Sequence, residues 1–118
     1  MFAGIGATLA FLAVAFGAFG AHALRERIST ELLAVFQTGV QYQAMHALAL
    51  LALGLAAPDR PWIRRASWLF VAGVVVFSGS LYALALTGTR SFGAITPLGG
   101  VCFLLGWGIL AVNLSKDG

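Results

Sequence analysis

Two histidines, His22 and His46, are the only side chains of this 118-residue sequence that titrate near neutral pH, and both lie in or beside long apolar runs. Around the second, polar residues recur with helical spacing. Thr38, Tyr42 and His46 are four apart and so share one stripe of a helix, with Gln37 and Gln41 beside it and Gln43 following. A second group comprises Ser78, Ser80 and Tyr82, and Thr96 opens a later apolar run. Three chemistries suit such a set. The groups could hydrogen-bond one another and hold helices together. They could line a binding or conduction site for an ion, a proton or a small polar molecule, with His22, Tyr42 and His46 along the path. The two histidines could also form an axial pair for haem, though no other sequence mark supports it. Catalytic motifs are absent: no acidic residue falls inside an apolar run, there is no HExxH pair, and no nucleophile has a legible base beside it. The expectation is a protein that is not an enzyme and has no cofactor and no metal site.

The elements that must position these residues follow from the charges. Only seven basic and four acidic residues are present, 9 % of the chain against 60 % hydrophobic. They leave four charge-free runs of 24 to 27 residues: Met1–Leu24, Leu32–Pro58, Ala66–Thr89 and Ser91–Ser115. A soluble domain keeps about a quarter of its residues charged, because its surface faces water. A bilayer core about 30 Å thick takes roughly 20 apolar residues per helix, so each run is long enough to cross it. This excludes a soluble globular fold and implies an all-α, integral membrane, antiparallel four-helix bundle in a single domain. The net charge of +3 is scattered over connectors and ends, so no contiguous basic patch for nucleic acid exists. Cys102 is the only cysteine, which excludes an intrachain disulfide and reads as a packing residue.

Along the chain the spans read as about 2–21, 38–57, 66–86 and 96–114. Met1–Ala21 lacks a basic leading segment and reads as a retained helix rather than a cleaved signal. Its small residues Ala3, Ala7, Ala10, Ala13, Gly17 and Ala21 suggest a packing face. Ser29 and Thr30 are candidate caps for the second helix. From Glu31 to Ala57 a helix would be about 40 Å long. Either it tilts and protrudes, or a segment near 28–38 is interfacial or half-inserted and the chain turns inward near Gly39. Pro58-Asp59-Arg60-Pro61 ends it. Trp62 and Trp68 flank Arg64 and Arg65, as at a membrane interface. Thr96-Pro97 reads as a cap followed by proline at the first position of the last helix. Gly73, Gly79 and Ala83 are candidates for self-association, and Gly99 and Gly100 for close backbone approach.

Up-and-down threading then gives each polar residue a depth. With the side of the termini called near, His22, Thr38, Gln41, Tyr42, Gln43, His46, Ser78, Ser80, Tyr82 and Thr96 fall in the far half. Thr8, Ser67, Asn113 and Ser115 are near. Arg60, Arg64, Arg65 and Lys116 on the near side, against Arg25, Arg27 and Arg90, orient both termini to the cytoplasm.

Four motifs in order, covering nearly the whole chain, carry a resemblance: Gly17-Ala-Phe-Gly-Ala-His22-Ala-Leu24; Tyr42-Gln43 with His46-Ala47-Leu48; Phe77-Ser-Gly-Ser-Leu-Tyr82; and Thr96-Pro-Leu-Gly-Gly100 with Gly106-Trp107. They resemble the small bacterial inner-membrane family of YgdD and YwdK, an uncharacterised domain to which vertebrate transmembrane protein 256 is similar. The resemblance implies an integral membrane protein of three or four helices in the bacterial inner membrane and carries no activity, substrate or catalytic residue. The functional expectation is a small non-enzymatic membrane protein in the lipid bilayer, an oligomeric or accessory subunit of itself or of a larger membrane complex, with a polar site opposite the termini. The alternative is a carrier or channel for protons or a small polar solute.

Overall fold

The computed structural model describes residues 1–57 and 59–117, the side chain of Asp117 excepted. It contains α1 (Phe2–His22), α2 (Thr30–Ala56), α3 (Pro61–Gly73), α4 (Gly79–Thr87) and α5 (Thr96–Asp117), with 3-10 turns at Leu24–Glu26 and Arg90–Ala94 and no strand among the described residues. A π-turn over Val74–Ser78 joins α3 to α4 without a break, closed by the Gly79 N–H on the Val74 carbonyl. Four segments are therefore long and apolar enough to span a membrane: Phe2–Glu26, Thr30–Ala56, Pro61–Thr87 and Arg90–Lys116. The protein is an all-α, four-span membrane protein whose longest dimension is 48 Å.

Local chemistry sets the helix ends. Ser29 caps α2, its hydroxyl accepting the Leu32 N–H at 3.1 Å. Pro61 occupies the first turn of α3, where its missing N–H is not needed. Gly88, at φ 71°, ends α4 in the left-handed conformation that glycine adopts freely, and its N–H reaches the Leu84 carbonyl at 2.7 Å. Pro58 lies outside the described residues; α2 ends before it, with the Ala57 N–H on Leu53.

Several expectations are corrected. The inward turn near Gly39 is not taken: α2 runs unbroken from Thr30, so no half-inserted piece spans 28–38. Gly39 serves packing instead, since a Cβ there would stand 2.7 Å from the Tyr82 ring. The third helix starts at Pro61 rather than near Ala66, so Trp62, Arg64 and Arg65 lie on it. Thr96 lies in the first turn of α5, and its hydroxyl turns to Ser80 rather than capping the helix.

The small-residue face of α1 is displaced only in part, since Ala3 and Gly17 do lie against α2, at Gly54 and Val40. Ala7 and Ala21 are exposed, whereas Gly6 and Gly20 are buried alongside Ala13. The inward line is Phe2, Gly6, Leu9, Ala13, Phe16 and Gly20, a 4-3 alternation of large and small residues that matches a heptad seam. It meets Phe36, Gln43, Leu50 and Leu53 of α2, whose buried positions Phe36, Gly39, Gln43, His46 and Leu50 follow the same repeat. A Cβ on Gly6 would lie 2.6 Å from the Leu51 nitrogen and 2.7 Å from the Ala47 oxygen, and one on Gly54 would strike the Ala3 backbone. On the other flank Gly73 abuts Phe103, Gly106 abuts Phe70, and Gly99 meets the Phe77 backbone. Gly73 is thus consumed inside the bundle and is closed to self-association, while Gly79 has nothing within 4 Å. Two apolar clusters result, a large one around Phe2, Leu50, Phe70, Val74, Phe103 and Leu110, and a smaller one around Leu24, Phe36 and Ala85. The polar residues occupy the space between them.

Candidate functional site

The centre of the polar set is α2, and its hub is Gln43, 2 % exposed. Gln43 stands in phase with Phe36, Gly39 and Leu50, so its amide points into the bundle. Its Nε2 donates to the Leu9 carbonyl of α1 at 2.8 Å, and its Oε1 accepts from the Tyr82 hydroxyl of α4 at 2.6 Å. The reach of Tyr82 follows from helix geometry. A side chain leans toward the N-terminus of its own helix, and α4 runs antiparallel to α2. The Tyr82 ring therefore lies across Gly39 and carries its hydroxyl one turn further along α2 to Gln43. Its neighbour Ser78, on the π-turn, donates to the Gly39 carbonyl at 2.7 Å. The missing side chain at Gly39 thus makes room for the Tyr82 ring.

One turn deeper, His46 is 1 % exposed and packed among rings. It stacks on Phe103 at 3.7 Å between centroids and meets Phe70 edge-on at 5.1 Å. Both ring nitrogens are engaged. The indole N–H of Trp107 can only donate, so Nε2 accepts from it, at 2.9 Å. The Tyr42 carbonyl can only accept, so Nδ1 carries the proton and donates, at 2.7 Å. The contacts specify the neutral Nδ1–H tautomer. A last tie joins the third span to α5: Ser80 and Thr96 share a hydrogen bond at 2.6 Å, and the Ser80 hydroxyl also reaches the Phe77 carbonyl at 2.9 Å. Through these side chains all four spans are linked.

The fate of the sequence-derived residues is uneven. His46, Ser78 and Ser80 are buried and Tyr82 and Thr96 half-buried; Ser80 pairs with Thr96, whereas the other three bond to residues outside this set. His22 stands apart: it is exposed at the end of α1 and makes no hydrogen bond to any of them among the described residues, so a His22–His46 haem pair is not assembled. Thr38 turns its hydroxyl back to the Ala34 carbonyl of its own helix at 3.0 Å. Gln41, like Gln37, is exposed. Tyr42 faces outward, 37 % exposed, with its ring on Phe77 at 4.6 Å. The stripe fails as a unit because residues four apart advance 40° around a helix at each step, so only one edge of it faces in. Two partners are not among the candidate site residues read from the sequence: the hub Gln43, placed there only by depth, and the donor Trp107, present only in a motif of the resemblance. The signal for Gln43 is its 3.5-residue phase with Phe36, Gly39 and His46. Trp107 carries none beyond that motif and its mid-span position. In the near half, the Ser67 hydroxyl is wholly buried and has no hydrogen-bond partner among the described residues.

Chemically, the arrangement offers polar ties between helices. Among the described residues no cluster of three or more His, Cys, Asp or Glu is placed to hold a metal.

The sequence profile described as "Protein of unknown function (DUF423)" matches residues 16–100. The chain is 47 % identical over 115 residues to the UPF0382 membrane protein YwdK of Bacillus subtilis, covering 95 % of this chain and 94 % of that one. It is 43 % identical over 113 residues to the UPF0382 inner membrane protein YgdD of Escherichia coli, covering 92 % and 86 %. A UPF0382 membrane protein of Staphylococcus saprophyticus is 45 % identical over 116 residues, covering 95 % and 94 %. No solved structure matches the chain.

Proposed function

The chain belongs to the DUF423 family of membrane proteins, and on that premise we propose that it is a non-enzymatic protein of the bacterial inner membrane that acts as an oligomeric or accessory subunit. In this reading both termini face the cytoplasm, and the polar cluster is the lock of its own bundle. The observation that carries it is the destination of the buried polar groups. Gln43, His46, Ser78, Ser80, Tyr82 and Thr96 each make a hydrogen bond to a neighbouring helix, and the further bonds of His46 and Ser80 close on their own spans. What remains available is the outer surface. On the third span Val75, Gly79 and Ala83 are four apart, Val75 and Gly79 are exposed, and the space over Gly79 is empty. Small residues at such spacing let a second helix approach closely in lipid, where packing drives association.

The test is association state in lipid nanodiscs and in mild detergent. The native protein should run as an oligomer or with a co-purifying membrane partner. Gly79→Leu should release it as a monomer while leaving thermal unfolding unchanged, because a side chain there meets nothing within 4 Å of its first atom. A native protein that is strictly monomeric and without partner in both media would overturn the proposal.

A further inference from the structure

Tyr42 is the aromatic residue of α2 that faces out of the bundle. It is the thirteenth residue of a 27-residue helix, about 18 Å from its start at 1.5 Å per residue. For a helix centred on a 30 Å core, that places its Cα about 13 Å inside the hydrocarbon. The side chain is 37 % exposed, and its hydroxyl has no hydrogen-bond partner among the described residues. An unpaired hydroxyl is costly in hydrocarbon, where no water is available to satisfy it. The surroundings make it more than an isolated exposed tyrosine. It forms one wall of a cleft of about 360 Å³ that opens sideways toward the lipid, lined by Tyr42, His46, Phe77, Gly100, Phe103 and Trp107. That volume is at the lower end for small-molecule sites.

The walls specify what fits. The rings the cleft exposes are Tyr42 and Trp107, 37 % and 42 % exposed, while His46 and Phe103 stack on each other at 3.7 Å as its buried wall, so the flat surfaces it offers are those of the tyrosine and the indole. Beside Gly100 the cleft has free space, since a Cβ there would stand 4.0 Å from its nearest neighbour, the Phe77 ring. Both nitrogens of His46 and the N–H of Trp107 are already engaged, leaving the Tyr42 hydroxyl as the one side-chain donor the cleft offers. An occupant must arrive through the bilayer, be flat, and bring an acceptor oxygen. We propose that this cleft binds the head ring of a lipid-soluble quinone-type molecule, stacked on the aromatic wall with a ring carbonyl accepting from Tyr42. A partner transmembrane helix suits it less, because a helix needs a long groove and has few free acceptors along its side.

The probe is decylubiquinone, titrated into phosphatidylcholine nanodiscs holding the full chain with Trp62→Phe and Trp68→Phe, so that fluorescence reports Trp107 alone. Quenching should saturate. Tyr42→Phe, which keeps the ring and removes only the hydroxyl, should raise the half-saturating concentration about five-fold, the scale of one hydrogen bond. Gly100→Leu, which fills the cleft, should abolish the saturable component; if that variant does not fold, the Tyr42→Phe shift decides alone. Linear quenching of the same slope in the native and Tyr42→Phe proteins would mean collision in the lipid and overturn the proposal. So would a Tyr42→Phe protein that changes association state but not quenching, which would assign the hydroxyl to a second copy of the chain.

Discussion

If Gln43 is the hub of the bundle, Tyr82→Phe and Gln43→Leu must be coupled. The first substitution removes only the hydroxyl, keeping the ring over Gly39 and against Phe16 and Phe36, with centroids at 5.3 and 5.1 Å. It deletes one hydrogen bond of 2.6 Å. Side-chain hydrogen bonds between membrane helices average about 0.6 kcal/mol and reach about 1.7. The burial and short distance place this one in the upper part of that range, so Tyr82→Phe should cost about 1 to 1.5 kcal/mol. Gln43→Leu is close to volume-conserving but severs two bonds, to Tyr82 and to the Leu9 carbonyl, and strands the Tyr82 hydroxyl. Its cost should be about 2 kcal/mol, since Leu9 keeps its own helical partner. Once the hydroxyl is gone there is nothing left to strand. The combined Tyr82→Phe/Gln43→Leu protein should therefore be more stable than the sum of the two by about 1 kcal/mol. Unfolding by SDS in mixed micelles, followed by circular dichroism, measures all four corners of the cycle. Additivity within about 0.3 kcal/mol would show that the two side chains do not act on each other, and the hub would be refuted.

Gly6→Ala and Gly54→Ala place a methyl against backbone atoms that cannot rotate away, and each should destabilise the protein by about 1 to 3 kcal/mol in the same titration; a neutral result would deny the close approach of α1 and α2. Ser67→Ala removes a buried hydroxyl that has no partner and should be neutral or stabilising, whereas Ser78→Ala loses its bond to Gly39 and should cost about 1 kcal/mol; the opposite order would contradict both assignments. Nitrogen-15 NMR of labelled histidine in nanodiscs should show His46 as the Nδ1–H tautomer, with an Nε2 signal that moves on Trp107→Phe. A protonated Nε2 in the native protein would contradict that pairing.

The spans were legible in the sequence because the cost of charge in hydrocarbon is indifferent to how helices later pack. Which face of each helix turns inward was less so. In a soluble helix the polar residues would mark the outside. Here both faces are apolar, and the inward line of α1 is distinguished only by the size alternation of Phe2, Gly6, Leu9, Ala13, Phe16 and Gly20. Alanine is common on every side, so a count of small residues at fourfold spacing selects Ala7 and Ala21, which face out. Likewise Thr38 and Gln41 look equivalent to Gln43 until the seam through Phe36, Gly39 and Leu50 is known. Thr38 loses its interior role to a local competitor, the carbonyl four residues back. The pairing of Trp107 with His46 joins residues 61 positions apart, and only tertiary structure brings them together.

The π-turn over Val74–Ser78 has a consequence for how this span tolerates change in length. Such a turn adds about one residue to the α-helical register, so it rotates the upper half of the span by roughly 100° without ending the helix. Below it, Phe70 and Gly73 face α5; above it, Tyr82 faces α2. The third span is in effect two half-helices with different allegiances, and the extra residue is the phase offset that lets one rod serve both. Removing any single residue between Val74 and Ser78 would restore a regular helix and swing Tyr82 a quarter turn away from Gln43, although nearly every side chain would survive. In this stretch the number of residues carries information that their identities do not.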